Sequence, residues 1–360
     1  MLKILDKYII KKFLSTFVVT LGLFIVIIIV FDISEKLDDF LEKKAPVSEI
    51  FLKYYANYVP NFLNLFSPVF IFISVIFFTS KLASRSEIVA TLSGGVSFNR
   101  FLRPYIITAA ILAVLSFFLN AYIIPHSDKI RLNFENKYIR NLNDDYTNSK
   151  HVQLKKNVYF YLEYFGYADS SGIGVSLEKH GNNRIESKLY AKKMNFNKVS
   201  NKWRLEDWVL REYINDTFQK VTRGKFIDTT IEFNPADFFR YNDDVQALDI
   251  NELNQFIEDE KMKGTSNVDY YVTEKYRRYA TPFATFILTF IGVCVSSKKS
   301  RGGVGLNLVV CILLSFLYLF VIQFFNTYGA TGIIFPMLAV WIPNFIFIGV
   351  AYLLYRNVQK

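Results

Sequence analysis

From Gly302 to Tyr355 the chain carries no charged residue. A run of that length exceeds a single core helix and reads as two membrane crossings in succession. At about 1.5 Å rise per residue, roughly 20 apolar residues cross a hydrocarbon core about 30 Å thick. Gly302 to Phe325 and Ile333 to Tyr355 each suffice, hinged at the turn-prone stretch from Asn326 to Gly332. Four further windows are free of charge: Phe13 to Phe31, Tyr54 to Ser80, Pro104 to Pro125 and Tyr279 to Ser297. The sequence therefore predicts a polytopic helical membrane protein with six spans, three before and three after a long polar segment. The first window is longer than a secretory h-region of about 7–15 residues and has no small-residue cleavage site after it, so it is read as a retained helix.

Lysine and arginine bias sets the expected orientation. With the N-terminus in the cytoplasm, the inner segments carry Lys3, Lys7, Lys11 and Lys12, then Lys81, Arg85, Arg100 and Arg103, then Lys298, Lys299 and Arg301, and finally Arg356 and Lys360. Only Asp6 and Glu87 oppose them. Both termini are thus expected inside, and the net charge of +10 is partly a topology signal that calls for no nucleic-acid partner.

Three regions follow: residues 1–125 with spans one to three, 126–266 as a domain outside the cytoplasm, and 267–360 with spans four to six. In the middle region Val158 to Leu162 is aromatic and β-branched, and Ile173, Val175 and Leu177 alternate with polar residues. Trp203 to Tyr213 and Lys225 to Phe233 are further strand candidates, with turns at Gly181-Asn182-Asn183 and Ser200-Asn201, so an all-β sandwich, jelly roll or barrel is expected. Asp249-x-x-Glu252 then opens a short helix that closes near Gly264.

The sequence offers little chemistry. His126, His151 and His180 lack ligand spacing, so no metal site is expected. There is no G-x-x-x-x-G-K-[ST] phosphate loop, and no ionisable group lies inside a span to couple ion flow. No catalytic residue is assigned, and the driving force has to come from elsewhere. Cys294 and Cys311 both fall in spans and read as small packing residues.

The connection between spans two and three is the most patterned short segment. Ser84-Arg85-Ser86-Glu87 reads as a helix start with serine capping and an acid in the first turn; Ile88, Val89 and Leu92 form an apolar stripe, and Gly94-Gly95 ends it.

Taken together, these pieces resemble the LptF/LptG (YjgP/YjgQ) family of lipopolysaccharide-export permeases. The resemblance rests on Leu5-Asp6-Lys7-Tyr8-Ile9, the Arg85-Ser86-Glu87-Ile88 to Gly95 helix and the large insertion after span three. It continues with Asn251-Glu252-Leu253, Ala280-Thr281-Pro282, Arg301-x-Gly303 and Trp341-Ile342-Pro343-Asn344. The opening and the Arg-Ser-Glu helix look more like the LptG side.

The resemblance implies an ABC-transporter permease of the bacterial inner membrane with a periplasmic jellyroll-like domain. It further implies a second LptF/LptG-type permease, an LptB-type ATPase dimer that binds ATP and Mg, an LptC-type periplasmic protein and lipopolysaccharide as cargo. The chain itself would carry no cofactor. Arg85, Ser86, Glu87, Ile88, Leu92, Gly94 and Gly95 would couple to the ATPase. Lys36, Arg277 and Arg278 are the cationic candidates for lipid contact, although the end of span one is mainly acidic here, with Asp32, Glu35, Asp38 and Asp39. A stand-alone secondary transporter and a membrane-anchored ligand-binding scaffold are the alternatives, and neither demands a stoichiometric ATPase.

Overall fold

The computed structural model describes residues 3–140, 146–166, 169–181, 184–197, 200–215, 218–231, 242–265, 267–298 and 303–358. Two compact units emerge. One comprises Met1–Phe134, Gln246–Leu253 and Asp269–Lys360, and the other Glu135–Val245 and Asn254–Val268.

The first unit is helical, and among the described residues six helices are long and apolar enough to cross a membrane. Helix α1 runs unbroken from Ile4 to Glu42, roughly 58 Å at ideal rise, well beyond its charge-free window. The second window is not one helix. A short turn at Val47–Glu49 and a π-helical turn at Ile50–Tyr55 lead into α2, Ala56–Leu65, and the ladder is interrupted at Phe66 before α3, Ser67–Ser84. Pro68, in the first turn of α3, has no N–H to continue the preceding ladder, which accounts for the restart there.

After α4, Glu87–Ser93, helix α5 covers Phe98–Phe118 and continues through a π-helical turn into α6, Ile124–Tyr138. This helix passes beyond Pro125, where the uncharged window stops, and the compact unit itself extends to Phe134.

Helix α7 spans Ile250–Lys263, α8 Val268–Ser296, α9 Gly303–Ala330 and α10 Pro336–Arg356. The expected hinge from Asn326 is mostly helical, and the turn falls at 331–334 with Gly332 at φ +74°. Arg301, Asn182 and Asn183, and the end of the fourth strand candidate at 232–233 lie outside the described residues.

Lipid tails are as apolar as leucine, so burial from water does not drive these helices together; close packing and interhelical hydrogen bonds do. Helix α3 is the pillar. One side, with Ile71, Val75, Phe78 and Leu82, packs with Phe13, Phe101 and Tyr105, while Phe72 and Ile76 pack with Leu288, Ile291, Tyr318 and Phe347. Polar bonds add to the packing: Thr79 meets the Tyr105 hydroxyl at 3.0 Å, Asn307 donates to Ser80 at 2.9 Å, and Ser116 donates to Asn64 at 2.7 Å. Cys294 and Cys311 are buried, unbridged packing residues. By contrast α1 and α9 expose most of their apolar surface, Val26 and Val30 or Leu313 and Phe320 for example, as bilayer-facing helices would.

Helix α7 begins as the sequence predicts. The Asp249 carboxylate accepts from the N–H groups of Asn251 and Glu252 at 2.8 Å, and Glu252 accepts from the Asp249 N–H at 3.0 Å. Lys129 and that N–H hold the Glu252 carboxyl below the usual range. The linked stability is present above the ordinary glutamate pKa and is lost as pH falls through the lowered value; it is small because both partners are 44% exposed.

The second unit contains a six-stranded antiparallel sheet in sequential order: β1 Tyr146–Lys155, β2 Val158–Gly166, β3 Ser171–His180, β4 Ile185–Asn197, β5 Lys202–Asn215 and β6 Phe218–Thr229. One face is apolar and buried, with Phe160, Leu162, Val175, Met194, Trp203 and Leu205, while Tyr159, Glu163 and Tyr190 point the other way. The inserted β domain is thus present, and its described strands form one meander.

Gly292 of α8 lies close against the pillar. A Cβ there would lie 2.9 Å from Val75 Cγ1 and 3.2 Å from Phe72 Cδ2. Gly292→Val should lower stability by about 1–3 kcal/mol through overpacking, read as a lower melting temperature in detergent. An unchanged melting temperature would contradict the close packing of α3 on α8.

Candidate functional site

At the end of the helical unit where α3 gives way to α5, the short helix α4 is held by the start of α1. Tyr8 donates its hydroxyl to Glu87 Oε2 at 3.1 Å. Two residues earlier, Asp6 takes both terminal nitrogens of Arg100, at 2.6 and 2.7 Å. This paired, charge-assisted geometry fixes α1 against the first turn of α5. Sequence reasoning placed Asp6 on the N-terminal segment and Glu87 and Arg100 on the connection between spans two and three, and did not join the two segments; the acids in basic surroundings were the available signal.

Helix α4 opens differently from the serine-capped start expected. Ser86 stands before the helix at φ +61°, and its side chain caps no N–H. A capping serine needs extended backbone to aim its oxygen at the following amides, which the left-handed conformation denies. Glu87 does lie in the first turn, and Gly95 closes the segment at φ +87° with its N–H on Leu92 O. The apolar stripe divides. Ile88 is 2% exposed and Leu92 packs on the same core, whereas Val89, one position round the helix, is exposed with Ala90, Ser93 and Gly94. Arg85 is exposed as well. Helix α4 is therefore rooted by one face and presents the other.

A second feature lies on the bilayer-exposed flank, where α1, α3 and α9 border a cavity of about 580 Å³. Its walls are apolar, with Phe24, Ile28 and Phe31 from α1, Val69 and Ile73 from α3, and Ile312, Phe316 and Leu319 from α9. Asp32, Glu35 and Tyr58 add polar groups at one end.

Lys36 is beside this rim but is already engaged. Its ammonium is 2.9 Å from Asp32 Oδ1, bonds the Tyr54 hydroxyl, and lies 4.8 and 5.4 Å from the ring centres of Tyr54 and Tyr58. Asp32 is 6% exposed and also accepts from the hydroxyls of Tyr54 at 3.1 Å and Tyr55 at 3.0 Å. The tyrosines, read from sequence only as part of an apolar window, are what allow a carboxylate to be buried here.

The two arginines divide similarly. Arg278 is buried and donates to the carbonyls of Leu248, at 2.7 Å, and Gln246, at 3.3 Å, so it fastens the 246–248 segment to α8. Arg277 pairs with Glu274 at 2.8 Å and keeps 31% of its side chain exposed. Among the described residues no group of three His, Cys, Asp or Glu is placed to hold a metal.

The family model described as lipopolysaccharide export system permease LptF/LptG matches residues 7–357. The match treats the two permeases together and does not separate an LptG-like chain from an LptF-like one. Comparison with curated proteins finds no match.

The Asp32 cluster makes an ordered prediction. Asp32→Ala strands a part-buried ammonium and two tyrosine hydroxyls and should cost about 2–4 kcal/mol, whereas Lys36→Met leaves the carboxylate on two hydroxyl donors and should cost less. Melting temperatures in detergent check the order, and equal losses would show that Lys36 and not the tyrosines sustains Asp32.

Proposed function

The chain belongs to the LptF/LptG family of lipopolysaccharide-export permeases, and we propose that it is the membrane subunit of an ABC transporter that lifts lipopolysaccharide from the inner membrane toward the periplasm. A separate LptB-type ATPase dimer, holding ATP and Mg, would supply the energy. A second LptF/LptG-type permease would complete the lipid passage, and an LptC-type protein would receive the cargo. In this reading both termini are cytoplasmic and the β unit is periplasmic, as the lysine and arginine asymmetry favours.

One observation carries the proposal beyond family membership: the 580 Å³ apolar cavity on the face formed by α1, α3 and α9. It faces outward among exposed apolar residues such as Ile27 and Phe316, so a lipid can enter from the bilayer without crossing a polar barrier. The buried apolar face of the sheet, around Trp203 and Phe160, supplies the same chemistry for acyl chains. Of the three cations named from sequence, Lys36 has its charge met by Asp32 and Arg278 binds backbone; Arg277 retains exposed surface for an anionic headgroup.

Helix α4 supports coupling. Rooted by Ile88 and Leu92, it transmits a push on its exposed face into the core around α3, α5 and α1. Glu87 offers a carboxylate steadied by Tyr8, suited to a cationic pocket on the ATPase. Arg85, Ser86, Gly94 and Gly95 border that surface.

The test is a series at Glu87 in the full complex. If the carboxylate meets a buried cation, Glu87→Ala and Glu87→Gln should lose about 2–5 kcal/mol of coupling, a roughly thirtyfold or larger fall in lipid release or ATPase co-purification, and Glu87→Lys should lose more. The variants should still insert and purify as monodisperse protein. Retention of both the ATPase and lipid release by all three would remove Glu87 from the coupling surface, and failure of the unaltered chain to co-purify with any ATPase would favour a stand-alone transporter or a scaffold.

A further inference from the structure

A second cavity, of about 250 Å³, adjoins the bilayer-facing one and is bordered by the end of α2 and by α3, α8, α9 and α10. The two share Phe66, Val69 and Leu319 as lining residues. Among the described residues the side-chain oxygens of Asn326 and Asn344, both lining the inner cavity, are buried without a hydrogen-bond partner. Asn344 is 4% exposed, and its amide nitrogen already donates to Ala280 O at 3.4 Å. It stands eight residues after Pro336, about 12 Å along α10, at hydrocarbon depth. Two buried acceptors on neighbouring helices therefore await a donor where the membrane supplies none.

Water alone fits poorly. The volume equals about eight waters at roughly 30 Å³ each, and each needs two to four polar partners. The lining has few to give: the Thr281 hydroxyl donates to Arg277 O at 2.8 Å and one Arg277 nitrogen is paired with Glu274, leaving the other Arg277 N–H groups, the Tyr318 hydroxyl, Gln323 and the two asparagines amid leucine, phenylalanine and valine. An apolar body with one or two hydrogen-bond donors suits the space.

We propose that this inner cavity is a binding site for a lipid chain bearing a hydroxyl, which enters past Phe66, Val69 and Leu319 and donates to the side-chain oxygen of Asn344 or of Asn326. The inference rests on the export reading only for the origin of the chain. Binding is measured without ATPase or transport, so failure here leaves coupling untouched, and loss of coupling leaves this site standing.

The full-length chain in nanodiscs is exposed to photoreactive β-hydroxytetradecanoic acid or to the same probe without its hydroxyl, and captured peptides are mapped by mass spectrometry. The hydroxylated probe should label peptides covering 277–281, 318–326 and 340–344 about fivefold more, the factor one neutral hydrogen bond supports. Asn344→Leu and Asn326→Leu should each reduce the preference and together abolish it, with the plain probe reporting that the cavity persists. Competition by unlabelled lipopolysaccharide identifies the cargo as the source of the chain, and competition by phosphatidylglycerol identifies a bilayer lipid. Equal labelling by both probes, or no labelling of these peptides in the unaltered chain, overturns the proposal, as does a preference that survives the double variant.

Discussion

Hydrocarbon tolerates no unmet polar group, and that constraint orders the helical unit. Backbone amides are satisfied within helices, so the chain is cut into six long apolar ones. Charges are displaced to the ends of the apolar windows and answered there: Asp6 by Arg100, Asp32 by Lys36 and two tyrosines, Arg278 by two carbonyls. The asparagine oxygens at 326 and 344 stand apart from this rule, as do the hydroxyls of Ser67, Thr285, Thr289 and Ser315, and the two asparagines share the lining of the inner cavity.

The same constraint shapes function. The apolar windows carry no charged side chain, and in the proposed transporter the driving force comes from a partner ATPase. Helix α4 has Ile88 in the core and Val89 outside it, Tyr8 ties it to α1, and Arg100 ties α5 to the same helix, whose far part borders the larger cavity; the proposed coupling would run through these contacts. The π-helical turn at Ile50–Tyr55 and the interruption at Phe66 set Tyr54 and Tyr55 against Asp32 and place Phe66 between the two cavities.

Much of this was legible in the sequence because hydrophobic length and charge are one-dimensional signals. The six spans, the inserted β domain, the Asp249–Glu252 capping box and the turns at Asn201, Gly95 and Gly264 follow from local pattern. What was not legible depends on contacts between distant segments. Ser86 reads as a cap until its left-handed backbone is seen, and Lys36 reads as a lipid cation until Tyr54 and Asp32 surround it. Strands β1 and β4 went unread because their lysines and asparagines dilute the alternation that made β2 and β3 visible.

The central claim is that lipid travels the face formed by α1, α3 and α9, and photo-crosslinking in the working complex tests it most directly. Crosslinkers at Ile312 and Phe316 lie on that cavity, while one at Ile348 is equally apolar and 48% exposed on α10 but lines neither cavity described above. Simple exposure to the bilayer would make all three alike. The account predicts lipopolysaccharide captured at 312 and 316 during ATP turnover and only background at 348; equal capture at the three positions would contradict it.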